Sequence, residues 1–118
     1  MNGCELITNE RRRQIEKKGW TSEHDDTHTG GELALAAVCY AAPRRIFIHE
    51  TRHNGHAFTD PWPWWPGNDA RFACGNNDRS NSPPRPGSYS DQERLDLLIK
   101  AGALIAAEID RIQRAHHE

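Results

Sequence analysis

Residues 91–115, DQERLDLLIKAGALIAAEIDRIQRA, carry the clearest structural signal in this 118-residue chain. Ser90 and Glu93 have the spacing of a capping box, which marks the start of a helix. Beyond this cap, apolar or small residues recur every three or four positions: Leu95, Leu98, Ile99, Gly102, Ile105, Ala106, Ile109 and Ile112. This is the period of an amphipathic helix, so the stretch predicts a long helix over 91–115.

Residues 31–42 predict a central helix. They are rich in Ala and Leu and apolar on nearly every side, which is typical of a helix buried in a core. Thr29 and Glu32 have the spacing of a capping box, and Pro43 ends the helix. The small residues of the helix over 91–115 would let the two helices pack closely.

Residues 8–18 predict a further helix, half exposed because its apolar face is thin. Thr8 is the expected N-cap, Ile15 is the expected inward residue, and Gly19 lies where a left-handed residue ends a helix. The expected fold class is therefore mainly α, with about three helices.

Residues 51–90 show no helix or strand pattern, although 46–48 could form a short strand or a helical turn. Six of the seven prolines lie between Pro61 and Pro86. Aromatic residues argue against simple disorder in this region: Trp62, Trp64 and Trp65. We expect one domain over 1–118, with a long irregular Pro/Trp-rich loop over 51–90 packed across the helices.

The composition excludes several classes of protein. The formal net charge is -2, whereas general nucleic-acid binders are usually basic, so we expect no nucleic-acid partner. The chain has no run of about 18 apolar residues and no signal peptide, so we expect no membrane association and a cytoplasmic location. Three widely spaced cysteines favour free thiols in a reducing compartment. An apolar fraction of only 36% favours a small core and a homo-oligomer.

One short segment combines side chains that bind divalent cations. His24, Asp25, Asp26 and His28 lie within it, and Glu32 follows at the start of the central helix. Carboxylates suit Mg²⁺ or Mn²⁺, and imidazoles suit Zn²⁺ or Mn²⁺. The pattern matches no standard metal motif. The alternative is a solvated loop whose acidic residues stabilise the N-terminus of the central helix.

The segment DPWPWWP at 60–66 is the second candidate site. Its prolines hold the chain extended. The faces of Trp62 and Trp64 could stack a nucleobase or pack against the edge of the core. The two interpretations are a core edge and a half-buried platform shared with a ligand.

Arginines provide a third candidate site, because a guanidinium holds phosphate through two parallel hydrogen bonds. They lie at 11–13, 44–45 and 52. The alternative is a solvated helix face followed by a loop. A weaker cluster, which is a candidate zinc site or simply a set of surface side chains, contains His49, Glu50, His53 and His56.

Several stretches resemble a family of small phage and prophage proteins. They are 10–28, 31–33, 62–64, 94–105 and 107–111, with Ala36, Ala37 and Tyr40. The resemblance implies phage origin, and therefore the cytoplasm of a bacterial host cell. Residues 66–89 look like an insertion special to this sequence.

Residues 23–26 and 93–96 both have the ExxD spacing, and no ExxE pair is present. In this respect the chain more weakly resembles the MazG-like all-α nucleotide pyrophosphohydrolases, whose helices hold Mg²⁺ around a nucleoside triphosphate. That resemblance implies a metal-dependent hydrolase in which His28 lies near the attacking water. The implied metal ligands are Asp25, Asp26, Glu32 and Asp96.

These patterns favour a binding protein that sequesters a nucleotide-derived, phosphorylated small molecule and so counters host defence signalling. The expected phosphate contacts are Arg12, Arg45 and Arg52. The base would stack on Trp62 and Trp64, and the sugar or a cation would contact His24 and Asp26. One alternative is the Mg²⁺-dependent hydrolase, with Asp26, His28 and Glu32 at its centre. Another is an inhibitor that binds a host protein through the aromatic loop.

Overall fold

The computed structural model describes residues 1–65, 68–71 and 89–116. Within these ranges the chain forms four helices and one β-hairpin. In chain order they are α1 (Gly3–Lys18), α2 (Ser22–Asp25), α3 (Glu32–Ala41), β1 (Ile48–Arg52), β2 (Gly55–Thr59) and α4 (Asp91–Ala115). The mainly α fold class is confirmed. No helix in the described part of the chain is both long and apolar enough to cross a membrane.

The core lies between α3 and α4. Small and branched side chains from both helices form one buried cluster: Leu33, Ala36, Ala37 and Tyr40 from α3; Leu97, Ala101, Leu104 and Ala107 from α4. The small residues let the helices approach closely, as expected. Cys39 on α3 is fully buried, and its burial raises the pKa of its thiol to about 11.

Helix α4 begins with the predicted capping box, since the Ser90 hydroxyl accepts from the Glu93 N–H at 3.1 Å. Its buried face differs from the predicted apolar stripe. The fully buried residues of α4 are Leu97, Ala101, Ala103, Leu104 and Ala107. Five members of the predicted stripe are 43% to 50% exposed: Leu95, Leu98, Ile105, Ile109 and Ile112. The helix is apolar on more than one face, and packing against α1 and α3 buries only some of these apolar residues.

Helix α1 begins earlier than predicted. Asn2 is its N-cap and forms a capping box with Glu5, while Thr8 lies inside the helix and donates to the Cys4 carbonyl. The predicted end is confirmed, because Gly19 adopts a left-handed conformation with φ of 71°. Ile15 is not inward-facing but 39% exposed, since the buried residues of α1 are polar.

Helix α3 does not use the predicted Thr29–Glu32 capping box. Gly31 is its N-cap, in a left-handed conformation with φ of 84°, and no side chain caps the helix. The Glu32 carboxylate instead lies 3.2 Å from Nδ1 of His28.

The predicted irregular loop over 51–90 is wrong for its first part. Strands β1 and β2 pair antiparallel, in a register that runs from Ile48 opposite Thr59 to Arg52 opposite Gly55. His53 and Asn54 connect the strands, and Gly55, the first residue of β2, has a φ of 130° that favours glycine. Residues 60–65 and 68–71 form no strand or α-helix, and 66–67 and 72–88 lie outside the described residues.

Candidate functional site

Four buried charged side chains fix the path of the Trp-rich segment. Asp60 accepts from Arg45 at 2.9 Å and from Arg71 at 2.7 Å. Arg71 also donates to Asp69 through two nitrogen atoms. All four residues are at most 8% exposed. The two arginines and two aspartates therefore neutralise one another inside the protein.

Electrostatics hold this network ionised. Burial alone would raise the pKa of Asp60, but hydrogen bonds and charge from Arg71, together with the Trp62 N–H and Arg45, hold it below the ordinary value. The pKa of Arg71 is raised: burial opposes this, but its hydrogen bonds to Asp69 and Asp60 outweigh burial. Arg45, a predicted phosphate ligand, is thus occupied by Asp60 and by the Arg71 carbonyl at 2.8 Å. That prediction is corrected by the structure: Arg45 anchors the segment.

The network places the tryptophans against the core. Trp62 lies 5.0 Å from the Tyr40 ring and under the Arg71 guanidinium. The Tyr40 hydroxyl donates to the Asn68 carbonyl and accepts from the Ala70 N–H. Trp62 and Trp64 are both partly buried against the core cluster, whereas Trp65 is 76% exposed.

Two salt bridges anchor the segment that carries the acidic residues. The Thr21 hydroxyl caps the short helix α2. Asp25, 1% exposed, accepts from Arg11 of α1 at 3.1 Å. Asp26 accepts from Arg114 near the end of α4 at 2.7 Å. Both carboxylates bind the segment to the long helices.

The predicted metal ligands do not form one cluster, although His28 lies beside Glu32 and Nδ1 of His24 lies 3.6 Å from Oδ1 of Asp25. Asp25 and Asp26 face different arginines, and Glu32 pairs with His28. Among residues 1–65, 68–71 and 89–116, no group of three or more His, Cys, Asp or Glu side chains could hold a metal ion. Asp96 accepts a hydrogen bond from Gln92 on α4. The Mg²⁺ or Mn²⁺ site expected from the sequence is therefore not formed by these side chains.

Four aromatic rings form a closed ring of contacts, which we call the aromatic cluster: Trp20, His24, His28 and Trp64. Trp20 lies nearly parallel to His24, at 6.3 Å between centroids, and His24 meets His28 edge-on at 4.9 Å. Trp64 completes the ring, at 5.1 Å from His28 and 6.4 Å from Trp20. His24 lies on the short helix α2, and the turn at 26–27 brings His28 back beside it.

The aromatic cluster lines a cavity of about 260 Å³, the aromatic pocket, together with Leu33, Trp65 and Asn68. The indole Nε1 of Trp64 is buried and has no hydrogen-bond partner among the described residues. A buried donor without a partner is rare in proteins and indicates a group that water or a ligand satisfies.

A second cavity of about 450 Å³, the cationic pocket, adjoins the first, because Trp20 and Asn68 line both. Its cationic side chains come from α1 and α4: Arg13, Lys18 and Lys100. Within the described part of the chain, neither lysine forms a salt bridge. The carboxylates of Glu10 and Asp69 also line this pocket, but they pair with Arg13 and Arg71, so the two lysines supply its remaining positive charge.

Glu10 organises the floor of the cationic pocket. It accepts from Nε and Nη2 of Arg13 and from the Gln14 amide. Burial would raise the pKa of Glu10, but the Arg13 hydrogen bond and the charges of Lys100 and Arg13 hold it below its ordinary value. Gln14 is 2% exposed, and its Oε1 has no partner among the described residues.

Sequence reasoning selected only part of this site. The structure brings His24, His28 and Trp64 together in the aromatic pocket but leaves Arg12 exposed on α1 and Arg52 beside Glu50 on the hairpin. Neither arginine lines the aromatic pocket or the cationic pocket. Sequence reasoning placed Arg13 in the candidate arginine set without choosing it as a phosphate contact, and it missed Gln14, Lys18, Trp20 and Lys100. For Arg13 and Gln14 a sequence signal was available, because they follow Glu10 by three and four residues and therefore lie on the same face of α1.

The weaker histidine cluster is split by the hairpin. His49 and His56 lie side by side, with Nε2 and Nδ1 2.8 Å apart, and His49 stacks on Phe58. His53 lies in the turn, and the described residues offer this pair no third metal ligand.

No protein-family model, curated protein or solved structure matches this chain.

Proposed function

We propose that this protein binds a nucleotide-derived, phosphorylated small molecule across the two adjoining pockets. The observation that carries the proposal is that Trp20 and Asn68 line both cavities. One ligand can therefore contact the aromatic rings at one end and the ammonium groups of Lys18 and Lys100 at the other. Cavities of this combined size are typical of small-molecule sites.

The aromatic pocket suits a flat, uncharged ring such as a nucleobase. Stacking of a base on an aromatic side chain contributes about 1–3 kcal/mol. Trp20 and Trp64 offer such faces, and the unpartnered Nε1 of Trp64 can donate to a ring nitrogen or carbonyl. This matches the base-stacking role that the sequence suggested for Trp64.

The cationic pocket suits the phosphates. Lys18 and Lys100 carry positive charges without salt bridges, and Nη1 of Arg13 makes no hydrogen bond within the described part of the chain. The Oε1 of Gln14 can accept from a ligand N–H or hydroxyl. We therefore assign phosphate contacts to Arg13, Lys18 and Lys100 instead of Arg12, Arg45 and Arg52.

Binding without turnover is the form of this function that we favour. The carboxylates expected to hold Mg²⁺ in a hydrolase are engaged by Arg11 and Arg114 instead of facing the pockets. A protein of phage origin, as the sequence resemblance implies, would meet its ligand in the cytoplasm of a bacterial host. Removing a nucleotide signal there would counter host defence.

Calorimetry and tryptophan fluorescence with a matched ligand series test the proposal. The series is ATP, AMP, adenosine, tripolyphosphate and a cyclic dinucleotide. At least one nucleotide should bind more tightly than both adenosine and tripolyphosphate, because only a nucleotide fills both pockets. Native mass spectrometry of the freshly purified protein, before and after denaturing extraction, should reveal a retained ligand of this class.

Matched variants locate the binding. Lys100→Gln should weaken binding of the nucleotide but leave binding of adenosine unchanged. Trp64→Leu should weaken binding of adenosine and of the nucleotide alike. Arg12→Gln is the control, since Arg12 lies on the same helix as Arg13 but lines neither pocket. Binding that is lost equally in Arg12→Gln and Lys100→Gln, or no binding of any nucleotide, contradicts the proposal. Release of phosphate or pyrophosphate from a bound nucleotide would favour the hydrolase.

A further inference from the structure

Helix α4 carries an exposed apolar stripe along its outer face. Its apolar members are Leu95, Leu98, Ile105, Ile109 and Ile112, each 43% to 50% exposed. With Gly102 between them, these residues are spaced by three and four in strict alternation, which is the heptad pattern of a helix that packs against another helix. Monomeric proteins rarely expose a contiguous apolar patch of this kind.

We propose that the stripe pairs with the same stripe of a second copy of this chain, with the two α4 helices antiparallel. Asp91 lies four residues before Leu95, and His116 lies four residues after Ile112. The two residues therefore continue the alternating spacing of the stripe at its two ends. When the twofold axis lies between residues 103 and 104, each stripe residue meets a suitable residue of the second copy. The opposed pairs are Asp91 with His116, Leu95 with Ile112, Leu98 with Ile109, and Gly102 with Ile105.

The self-complementarity of the stripe favours a second copy over a different protein. In the outer pairs a leucine opposes an isoleucine, at the centre Ile105 opposes the gap left by Gly102, and at both ends an acidic side chain opposes a histidine. Asp91 and His116 are exposed, and neither forms a salt bridge within the described part of the chain. Antiparallel helices also place the positive N-terminal end of each dipole beside the negative C-terminal end of the other.

The charged residues beside the stripe are already satisfied inside one protomer. Arg94 donates to the carbonyls of Ala41 and Ala42, and Arg111 pairs with Glu108 on the same helix. They do not require a charged partner from another protein. The interface that results is apolar along its length and polar at its two ends, as isologous dimers require.

Helix α1 contributes at the centre of the stripe. A Cβ on Gly102 would lie 2.5 Å from Cδ1 of Ile7, so the Ile7 side chain occupies the space over this glycine. Ile105 of the second copy would therefore pack on Ile7 where it crosses Gly102. The dimer is independent of the proposed ligand site, because no residue of the stripe lines either pocket.

Sedimentation velocity and light scattering over a concentration series test the dimer. The unmodified chain should sediment as a dimer. Ile109→Glu should weaken self-association by about 100-fold or more, because the twofold axis buries the new charge twice. Its helix content should be unchanged, since Ile109 is half exposed in one protomer. Val38→Glu is the control: Val38 is 54% exposed on α3, outside the stripe, and this variant should remain dimeric.

Charge exchange and cross-linking test the antiparallel register. Asp91→Lys should weaken the dimer, and adding His116→Glu to the same chain should restore it. For cross-linking, Cys4 and Cys74 are replaced by Ser, which leaves the buried Cys39 and one introduced cysteine on the stripe, and a short thiol cross-linker is added. Leu98→Cys mixed with Ile109→Cys should cross-link far more than either alone. A monomeric parent chain, equal disruption by Val38→Glu, or self-linking of Ile109→Cys would each overturn the proposal.

Discussion

Nη2 of Arg71 lies 2.7 Å from Oδ1 of Asp60, and the two side chains are 0% and 3% exposed. Asp60 directly precedes the Trp-rich segment, and Arg71 follows it. The pair therefore holds the segment at both ends and sets the position of Trp62 and Trp64 between them. The aromatic pocket depends on a contact that lies outside it.

Breaking this pair should destabilise the protein strongly. Arg71→Met leaves the carboxylates of Asp60 and Asp69 buried with too few donors, and breaking a buried ion pair costs about 3–5 kcal/mol. Urea unfolding followed by far-ultraviolet circular dichroism measures this loss. Arg52→Met removes an exposed arginine that pairs with Glu50, so it should change the free energy of unfolding by less than about 1 kcal/mol. Equal effects of the two substitutions would contradict this account.

The same network predicts loss of stability in acid. The pKa of Asp60 is lowered in the folded protein, so its contribution is present above the ordinary aspartate pKa of about 3.9. That contribution is lost as the pH falls through the lower, folded-state pKa. Thermal unfolding from neutral to acidic pH should show the decline. Asp60→Asn should be less stable at neutral pH and show a shallower decline in acid, whereas parallel curves would exclude Asp60 as a cause.

Adjacent carboxylates should differ in their contribution to stability. Asp25→Ala leaves Arg11 without its buried partner and should cost about 3–5 kcal/mol. Asp26→Ala breaks a salt bridge that is about half exposed and should cost less than about 1 kcal/mol. Chemical denaturation compares the two variants.

Neither carboxylate should respond to divalent cations. The unfolding temperature of the parent chain should not change when Mg²⁺, Mn²⁺ or EDTA is added, because Asp25 and Asp26 already pair with arginines. Differential scanning calorimetry measures this. If Mg²⁺ or Mn²⁺ raised the unfolding temperature of the parent chain but not that of Asp26→Ala, the result would support the metal site expected from the sequence.

Two cysteines should differ sharply in reactivity. Cys4 is exposed, whereas Cys39 is buried and the pKa of its thiol is raised to about 11. Since the thiolate is the reactive form, Cys39 should react with a thiol reagent only when the protein unfolds. Labelling of a Cys74→Ser variant, followed by peptide mass spectrometry, gives the two rates. Fast labelling of Cys39 under native conditions would show that its surroundings, which include the ion pair of Asp60 and Arg71, open readily.

Local features of the fold followed from the sequence, and long-range choices did not. The Ser90–Glu93 capping box and the Gly19 end of α1 depend on neighbouring residues, and both expectations are confirmed. The hairpin was not predicted, although the Asn54-Gly55 dipeptide is a hairpin signal. The proline-rich composition of the residues that follow led to the prediction of one irregular loop over 51–90.

The candidate site was only half accessible from the sequence. The short spacing of His24 and His28 predicted that they would lie together, and the structure agrees. Lys100 and Gln14 meet only because α1 packs on α4, and no local pattern relates them. The arginine roles could not be predicted for the same reason. Arg45 and Arg11 belong to the candidate phosphate site, but the structure pairs them with aspartates that lie far away in the sequence.

The sequence by itself determined that this chain is mainly helical, where α3 and α4 begin and end to within about one residue, where α1 ends, and that its tryptophan segment would dock. Those properties come from hydrogen bonds and periodicity within a turn or two of the chain. The tertiary structure decided which face of α4 is buried, which charges neutralise one another, and which side chains line the two pockets. Such choices depend on the competition between distant surfaces for the same contacts, and that competition is settled only when the helices pack.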